Sequence, residues 1–363
     1  MRVNSRFRRS NHLAELSNTH VENHHCVKVV TFCRNSQQVA TLGVGIRIGL
    51  RYTVRTFTTG KMTAVKSLLH TINGALSALL YGLNTFFWVP FVLILALFKL
   101  IPIPLTQRGL TYVLDACAVG WISVNNFNQR IFSRTSLQVE ENGQLSRNDW
   151  FLVIANHQSW VDILVLQRIF NHKIPFLKFF LKKELIWVPV LGLAWWALDF
   201  PFMRRYSKSF LAKHPHLKGK DMETTQKACE KFKSKPVSVM NFVEGTRFTQ
   251  EKHSRQQSPF KHLLKPKAGG IAFVLNAMGG QLHKLIDVTI HYPQGIPTFW
   301  DFVSGKVHDI RVQVDVTPIK NLFPANINIS EYFDSAEQRA RFQQWLNEQW
   351  QAKDNLLDNW KAV

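Results

Sequence analysis

The chain has 363 residues, 46% hydrophobic, 12% aromatic and 19% charged, which excludes a disordered or fibrous polypeptide and allows one large folded domain or two. With 45 Lys and Arg against 24 Asp and Glu, the formal net charge is +21, so the surface suits polyanions: nucleic acid, anionic lipid headgroups or an acidic carrier. The cysteines, Cys26, Cys33, Cys117 and Cys229, are scattered without a C-x-x-C pair; this excludes a disulfide framework and reads as reduced thiols in a cytosol-facing protein.

Residues 1–61 carry ten Lys and Arg against only Glu15 and Glu22, with weak apolar periodicity, and read as a poorly ordered basic arm. No apolar run follows the basic start closely, which argues against a cleaved signal peptide. Met62 stands just ahead of the first apolar segment as an alternative translation start. His20, His24, His25 and Cys26 lack recognised ligand spacing, so no metal site is expected there.

Residues 62–134 read as a membrane helix pair. Ala75 to Phe98 has no formal charge, and at about 1.5 Å per residue it covers a hydrocarbon core of roughly 30 Å. Pro90 is a kink position, Asn84 needs a partner, and Lys99, Pro102 and Pro104 end the segment. Leu110 to Phe127 is less apolar, contains Asp115 and ends in Asn125-Asn126, which suits an interfacial or re-entrant helix. Basic flanks, Lys61 and Lys66 before and Arg130 and Arg134 after, place both ends of the pair on the cytoplasmic side. The alternative is a single spanning helix followed by a soluble linker.

Residues 135–363 alternate strand and helix patterns. The expected strands are Leu137–Val139, Phe151–Ala155, Val237–Val243, Leu285–Tyr292 and Val312–Val316. The expected helices are Trp160–Phe170, Lys178–Trp187, Met222–Lys233, Ile271–Met278 and Ala336–Leu357, the last opened by a Ser335–Gln338 capping box. This interleaving predicts an α/β layer fold. The apolar stretch from Trp187 to Trp196 reads as packed core or as the wall of an acyl-chain channel. No Walker loop or dinucleotide fingerprint occurs.

The chemistry concentrates where two apolar runs end. Trp150 to Ala155 leads into Asn156-His157-Gln158-Ser159-Trp160-Val161-Asp162, and Val237 to Val243 leads into Glu244-Gly245-Thr246-Arg247. Histidine accepts a proton near neutral pH, and a carboxylate on its other ring nitrogen fixes the tautomer and stabilises the imidazolium. Ser159 lies two positions from His157, which on a helix points away from it. His157 is therefore assigned as general base on a substrate hydroxyl, oriented by Asp162, rather than as the activator of a protein serine. Gly245 permits a close backbone approach, and Arg247 brings a guanidinium fork suited to phosphate oxygens.

The 156–162 string resembles the first motif of the glycerolipid acyltransferases, the lysophosphatidate acyltransferase superfamily. Phe202-Met203-Arg204-Arg205 resembles the second block, Phe242 to Arg247 the third, and Asp287 to Pro293 the fourth block of the lysocardiolipin-type branch, in the family's order. The resemblance covers roughly residues 65–360 and looks closest to bacterial inner-membrane acyltransferases. It departs at Val243, where the family usually has proline, and at His291, which reads as structural.

The resemblance implies a glycerolipid-acyltransferase-like αβ layer domain behind an N-terminal membrane helix pair. It implies a 1-acylglycerol-3-phosphate O-acyltransferase-like enzyme, moving an acyl group from acyl-CoA or acyl-carrier protein to the free hydroxyl of lysophosphatidate or another lysophospholipid. His157 and Asp162 are then the catalytic dyad. Arg205 and Arg247 then hold the acceptor's phosphate, Arg204 being the weaker of the arginine pair. From the residues themselves Glu244, Gly245 and Thr246 join that phosphate-binding set, Glu244 as a brace for the turn and Arg247, and Lys267, where a glycine-rich turn opens a helix, is either a further phosphate cation or a solvated lysine. No cofactor or metal is expected, because the thioester carries the activation. The expected partners are donor, acceptor and an anionic membrane surface, with no nucleic acid, at the cytoplasmic side of a bacterial inner membrane. Two rivals stand: a membrane-tethered nucleic-acid-binding protein, for which no familiar motif occurs, and a lipid-thioester hydrolase using the same base on water.

Overall fold

The computed structural model describes residues 38–203, 226, 229, 230, 232 and 235–362. The chain divides into two compact units, residues 1–62 and 63–363. Arg204 and Arg205, most of the expected helix Met222–Lys233, and the His20–Cys26 tract lie outside the described residues. The first unit contributes only helical backbone from Gln38 onward.

Two helices precede the sheet: α1 (Gln38–Lys99), which belongs to the second unit from Thr63 onward, and α2 (Pro104–Asn128). Within α1, Ala64–Lys99 has a mean hydropathy of 1.9 and is the one helix among the described residues long and apolar enough to cross a membrane. Its burial follows helical spacing. Ser77, Asn84, Val92 and Ala96 face inward, while Leu79, Leu83, Phe86, Phe87, Ile94 and Leu97 are exposed. The helices are held by amides as well as by apolar contact. Asn84 Nδ2 donates to Asn125 Oδ1 at 2.8 Å and to the Trp121 carbonyl at 2.9 Å, while Ser77 and Asn128 exchange two hydrogen bonds of 3.0 Å. The Trp88 ring fills the notch at Gly120, where a Cβ would come within 2.6 Å of it.

Of the expected membrane helix pair, only Ala64–Lys99 is long and apolar enough to cross a membrane among the described residues, and this part of α1 is anchored at both ends. Near one end, His70 Nδ1 lies 2.8 Å from the Ser304 carbonyl and Asn73 Nδ2 donates to the Phe132 carbonyl at 2.7 Å. At the other end Lys99 pairs with Asp199. These anchors are about 40 Å apart along the helix, yet both sit on the same domain, so the pair lies along that domain's side. In α2, Asp115 is bonded to Lys178 and Lys235.

The remaining elements, in chain order, are β1 (Ser136–Asn142), β2 (Phe151–Ala155), α3 (Val161–Phe170), β3 (Leu177–Phe179), β4 (Leu181–Lys182), α4 (Leu191–Ala197) and β5 (Phe202–Met203). They continue with β6 (Ser238–Phe242), α5 (Gln250–Gln256), α6 (Ala268–Met278), β7 (Lys284–His291), α7 (Phe299–Val303), β8 (Asp309–Pro318) and α8 (Ala336–Ala362). Six strands form one sheet in the order β1-β8-β7-β2-β6-β3. β3, β6, β2 and β7 are parallel, β7 and β8 antiparallel, and β1 parallel to β8.

β2 is completely buried, as an unbroken apolar run between two parallel neighbours requires. Its alternate residues feed two cores. Leu152 and Ile154 pack with Val239 and the apolar faces of α6 and α8; Phe151, Val153 and Ala155 pack with α3. The expected helix Lys178–Trp187 is corrected: Leu177–Phe179 pairs with β6, Leu181–Lys182 pairs with β5, and Lys183–Trp187 is a short 3₁₀ turn. An unpaired edge on β6 draws the apolar residues into the ladder before a helix can form. The Ser335–Gln338 box forms in half: Ser335 Oγ accepts from Gln338 N at 3.2 Å, while the Gln338 side chain turns to Asn328 N at 2.8 Å.

Candidate active site

β7, β2 and β6 are adjacent and parallel, so their C-terminal ends open on one edge of the sheet, where crevices form in α/β folds. Asn156 makes the exit from β2. Its buried side chain takes the place of a backbone partner, donating to the Ile290 carbonyl and accepting from Ile290 N, both at 2.9 Å. This extends the β2–β7 ladder by one amide and sets His157 just beyond it.

His157 and Asp162 are together, as the spacing predicts. His157 Nδ1 lies 2.9 Å from Asp162 Oδ2. Asp162 is fully buried, and three further donors converge on it: Gln158 N at 2.6 Å, Ser159 N at 2.9 Å and the Tyr292 hydroxyl at 2.5 Å. The two backbone donors come from the turn that leads into α3, and Asp162 itself lies in that helix's first turn, where the helix dipole favours a negative charge. With Nδ1–H donating to Asp162, Nε2 of His157 is the lone-pair nitrogen. The imidazole is stacked on Phe242 at the end of β6, ring centroids 3.8 Å apart and planes 14° from parallel. Ser159 is occupied elsewhere, donating to the Pro297 carbonyl at 2.6 Å.

The β6 turn is stitched to this one. Phe248 N donates to the His157 carbonyl at 2.7 Å, and Glu244 Oε1 accepts from His157 N at 3.3 Å. Glu244 is fully buried and its other oxygen accepts from Leu264 N at 3.3 Å. Of the expected phosphate-binding residues, Glu244 has its carboxyl beneath the turn, where it supports the His157 and Leu264 backbone. Burial raises its pKa to about 8, against the pull of those two N–H bonds.

Gly245 has φ +69°, a left-handed conformation, and a Cβ there would sit 3.4 Å from Lys267 Nζ. The structure therefore lays the exposed Lys267 side chain over this turn, with Lys267 N donating to the Val243 carbonyl at 3.0 Å. The Arg247 guanidinium lies over the exposed Trp160 ring, 4.6 Å from its centroid. Thr246 Oγ1 accepts from Lys252 Nζ at 2.9 Å, and the same ammonium reaches the Arg247 carbonyl at 2.9 Å. His157, Trp160, Gly245, Thr246 and Arg247 line one cleft of about 340 Å³, whose apolar wall is Phe179, Phe180, Leu181 and Phe273. Arg205 lies outside the described residues. The Trp187–Trp196 stretch does not line this cleft: Trp187 and Trp196 are exposed, while Ala194 is buried and Trp195 packs against the core between α1 and α2.

Reading the sequence missed Tyr292, Asn156, Phe242 and Lys252. Burial and the Asp162 charge and hydrogen bond push the Tyr292 phenol far above its ordinary range, so it stays a donor. The signal for Tyr292 is a phenol placed directly after the strand Lys284–His291 and just before Pro293. His291 is neutral, its pKa lowered to about 4 by burial and then by Lys361, Arg311 and His262, and it lies buried against Trp360.

Residues 136–292 match the Acyltransferase family model. An acyltransferase domain therefore occupies this stretch, and the relatives it resembles are glycerolipid acyltransferases. The chain is similar to 1-acyl-sn-glycerol-3-phosphate acyltransferase gamma of Mus musculus, 24% identical over 191 residues that make up 50% of this chain and 44% of that protein. It is also similar to 1-acyl-sn-glycerol-3-phosphate acyltransferase 3 of Arabidopsis thaliana, 27% identical over 182 residues, 45% of this chain and 44% of the relative. The matched part of the chain thus spans less than half the length of these relatives. The chain is also similar to the crystal structure of the 1-acyl-sn-glycerophosphate (LPA) acyltransferase, PlsC, from Thermotoga maritima: TM-score 0.46 and 15% identity over 80% of this chain and 99% of that one.

Proposed function

We propose that the protein transfers a fatty acyl group from a thioester to the free hydroxyl of lysophosphatidate or a related lysophospholipid, with His157 and Asp162 as the catalytic dyad. One observation carries this reading: an imidazole fixed by a fully buried carboxylate lines the same cleft as the Arg247 guanidinium. His157 Nε2 takes the proton of the acceptor hydroxyl as its oxygen attacks the thioester carbonyl. The tetrahedral intermediate collapses with cleavage of the C–S bond, and the thiol leaves with the proton returned from the imidazolium. Asp162 holds the tautomer and balances the transient charge. Arg247 holds the acceptor's phosphate, with Lys267 and the Gly245–Thr246 backbone beside it. Phe179, Phe180, Leu181 and Phe273 take the acyl chain.

The exposed apolar stripe of α1 lies in the plane of a bilayer surface and brings the cleft to the lipid. The +21 charge favours an anionic leaflet, such as the cytoplasmic face of a bacterial inner membrane. Acyl-CoA and acyl-carrier protein both fit that charge as donors. The test is product analysis with purified protein, a lysophospholipid panel and each donor. Diacylated product is expected, and His157→Ala is expected to lose it about 10³-fold. Free fatty acid as the main product, or near-native turnover in the variant, overturns the reading.

A further inference from the structure

A second cavity, of about 430 Å³, lies between the α1–α2 turn, the edge strand β3 and α4; no residue lines both it and the His157 cleft. Lys99, Arg108, Lys178 and Lys235 line it. Two carboxylates meet them: Asp199, on Lys99, and Asp115, shared by Lys178 and Lys235. Among the described residues, four cations thus stand against two anions.

Lys178 and Lys235 are only 1% and 4% exposed. Besides Asp115, Lys178 Nζ donates to the Leu198 carbonyl at 2.6 Å and Lys235 Nζ to the Thr111 carbonyl at 3.2 Å. Each ammonium has three N–H donors. Burying two such groups against one shared carboxylate leaves desolvation only partly compensated. Burial accordingly lowers the Lys235 pKa to about 8, even with Asp115 beside it. Arg108, exposed at the rim, makes no ion pair among the described residues.

The rim is apolar. Leu100, Pro104 and Trp196 line the mouth, and Ile101, Ile103 and Leu105 beside it are exposed, Leu105 by 81%. A soluble anion gains nothing from such a collar; a phosphate carried on acyl chains does. We propose that this cavity seats the phosphate headgroup of an anionic bilayer phospholipid, as a docking site separate from the catalytic cleft. It rests on the reading that the exposed α1 face contacts a bilayer, and it places the end of α1 at phosphate depth. Bound there, the headgroup gives Lys178, Lys235 and Arg108 an acceptor and pins the α1–α2 turn to the membrane.

The experiment uses the full chain in mild detergent, with native mass spectrometry of retained lipid after adding equal phosphatidylglycerol and phosphatidylcholine. One phosphatidylglycerol is expected to be retained in preference. Arg108→Glu is expected to lower its occupancy about 30-fold, two units of charge changing at about 1 kcal/mol each. Arg255→Glu, the same charge change on α5, is expected to leave it intact. Lys235→Met is expected to lower the occupancy as well, and a thermal melt confirms that each variant is folded. Equal retention in Arg108→Glu and Arg255→Glu overturns the proposal, as does displacement of the lipid by millimolar inorganic phosphate, which identifies a free-phosphate site. Flotation with neutral phosphatidylcholine vesicles reads the α1 contact alone, so loss of flotation with Arg108-dependent lipid retention intact removes the membrane reading and keeps the headgroup site.

Discussion

Two carboxylates lie fully buried under the same cleft, and their surroundings are opposite. Asp162, at the β2 exit, receives four donors: the His157 ring, two backbone N–H groups and the Tyr292 hydroxyl. Glu244, at the β6 exit, receives two backbone N–H groups at 3.3 Å, and burial raises its pKa to about 8. The first environment is built to hold a negative charge beside an imidazole. The second is built to hold a turn. Burial alone therefore does not mark a catalytic acid; the number and kind of its donors does.

The largest test of this contrast is Asp162→Asn. The amide presents N–H where donors already converge and leaves His157 in the wrong tautomer, so turnover is expected to fall by about 10³–10⁴-fold with acceptor KM little changed. A loss under tenfold in a folded variant would remove the distinction between the two sites. Arg247→Ala comes next. Removing a charged fork from a phosphate is expected to raise KM for lysophosphatidate about 10–100-fold, while an unphosphorylated monoacylglycerol is handled as by wild type. Equal losses on both acceptors would assign Arg247 to the turn through Trp160, not to the phosphate. Tyr292→Phe, which deletes one of the four donors, is expected to lower turnover about 5–10-fold, measured with saturating acceptor.

These residues differ in how visible they were. The strand Phe151–Ala155 is read to the residue because an apolar run bounded by polar residues fits a strand buried on both faces. The His157–Asp162 spacing is visible because both sit on one turn. Tyr292 was not, because its link to Asp162 crosses 130 positions and depends on β7 being β2's neighbour. The Leu177–Phe179 strand was misread because the open edge of β6 is a tertiary fact. Lys178 and Lys235 were read past for a plainer reason: lysine is almost always solvated, and nothing local announces that two of them share Asp115 in α2.

The smallest effect on turnover, and the sharpest test of the contrast, is expected of Glu244→Gln. The amide keeps an acceptor for one of the two N–H groups, so activity is expected within about threefold of wild type. Stability carries the real signal. The folded state keeps the Glu244 proton to about pH 8, whereas the unfolded chain releases it near the ordinary carboxyl value of 4.5. Between those values the unfolded state binds fewer protons, so wild type loses stability as pH rises. Glutamine does not titrate, and every other group is common to both proteins. The melting temperature of Glu244→Gln relative to wild type is therefore expected to climb by several degrees, about 5 °C, between pH 5 and pH 8. Parallel melting curves across that range would mean that two long N–H bonds suffice to hold a buried charge, and then the donor count at Asp162 would no longer explain why it, and not Glu244, faces the histidine.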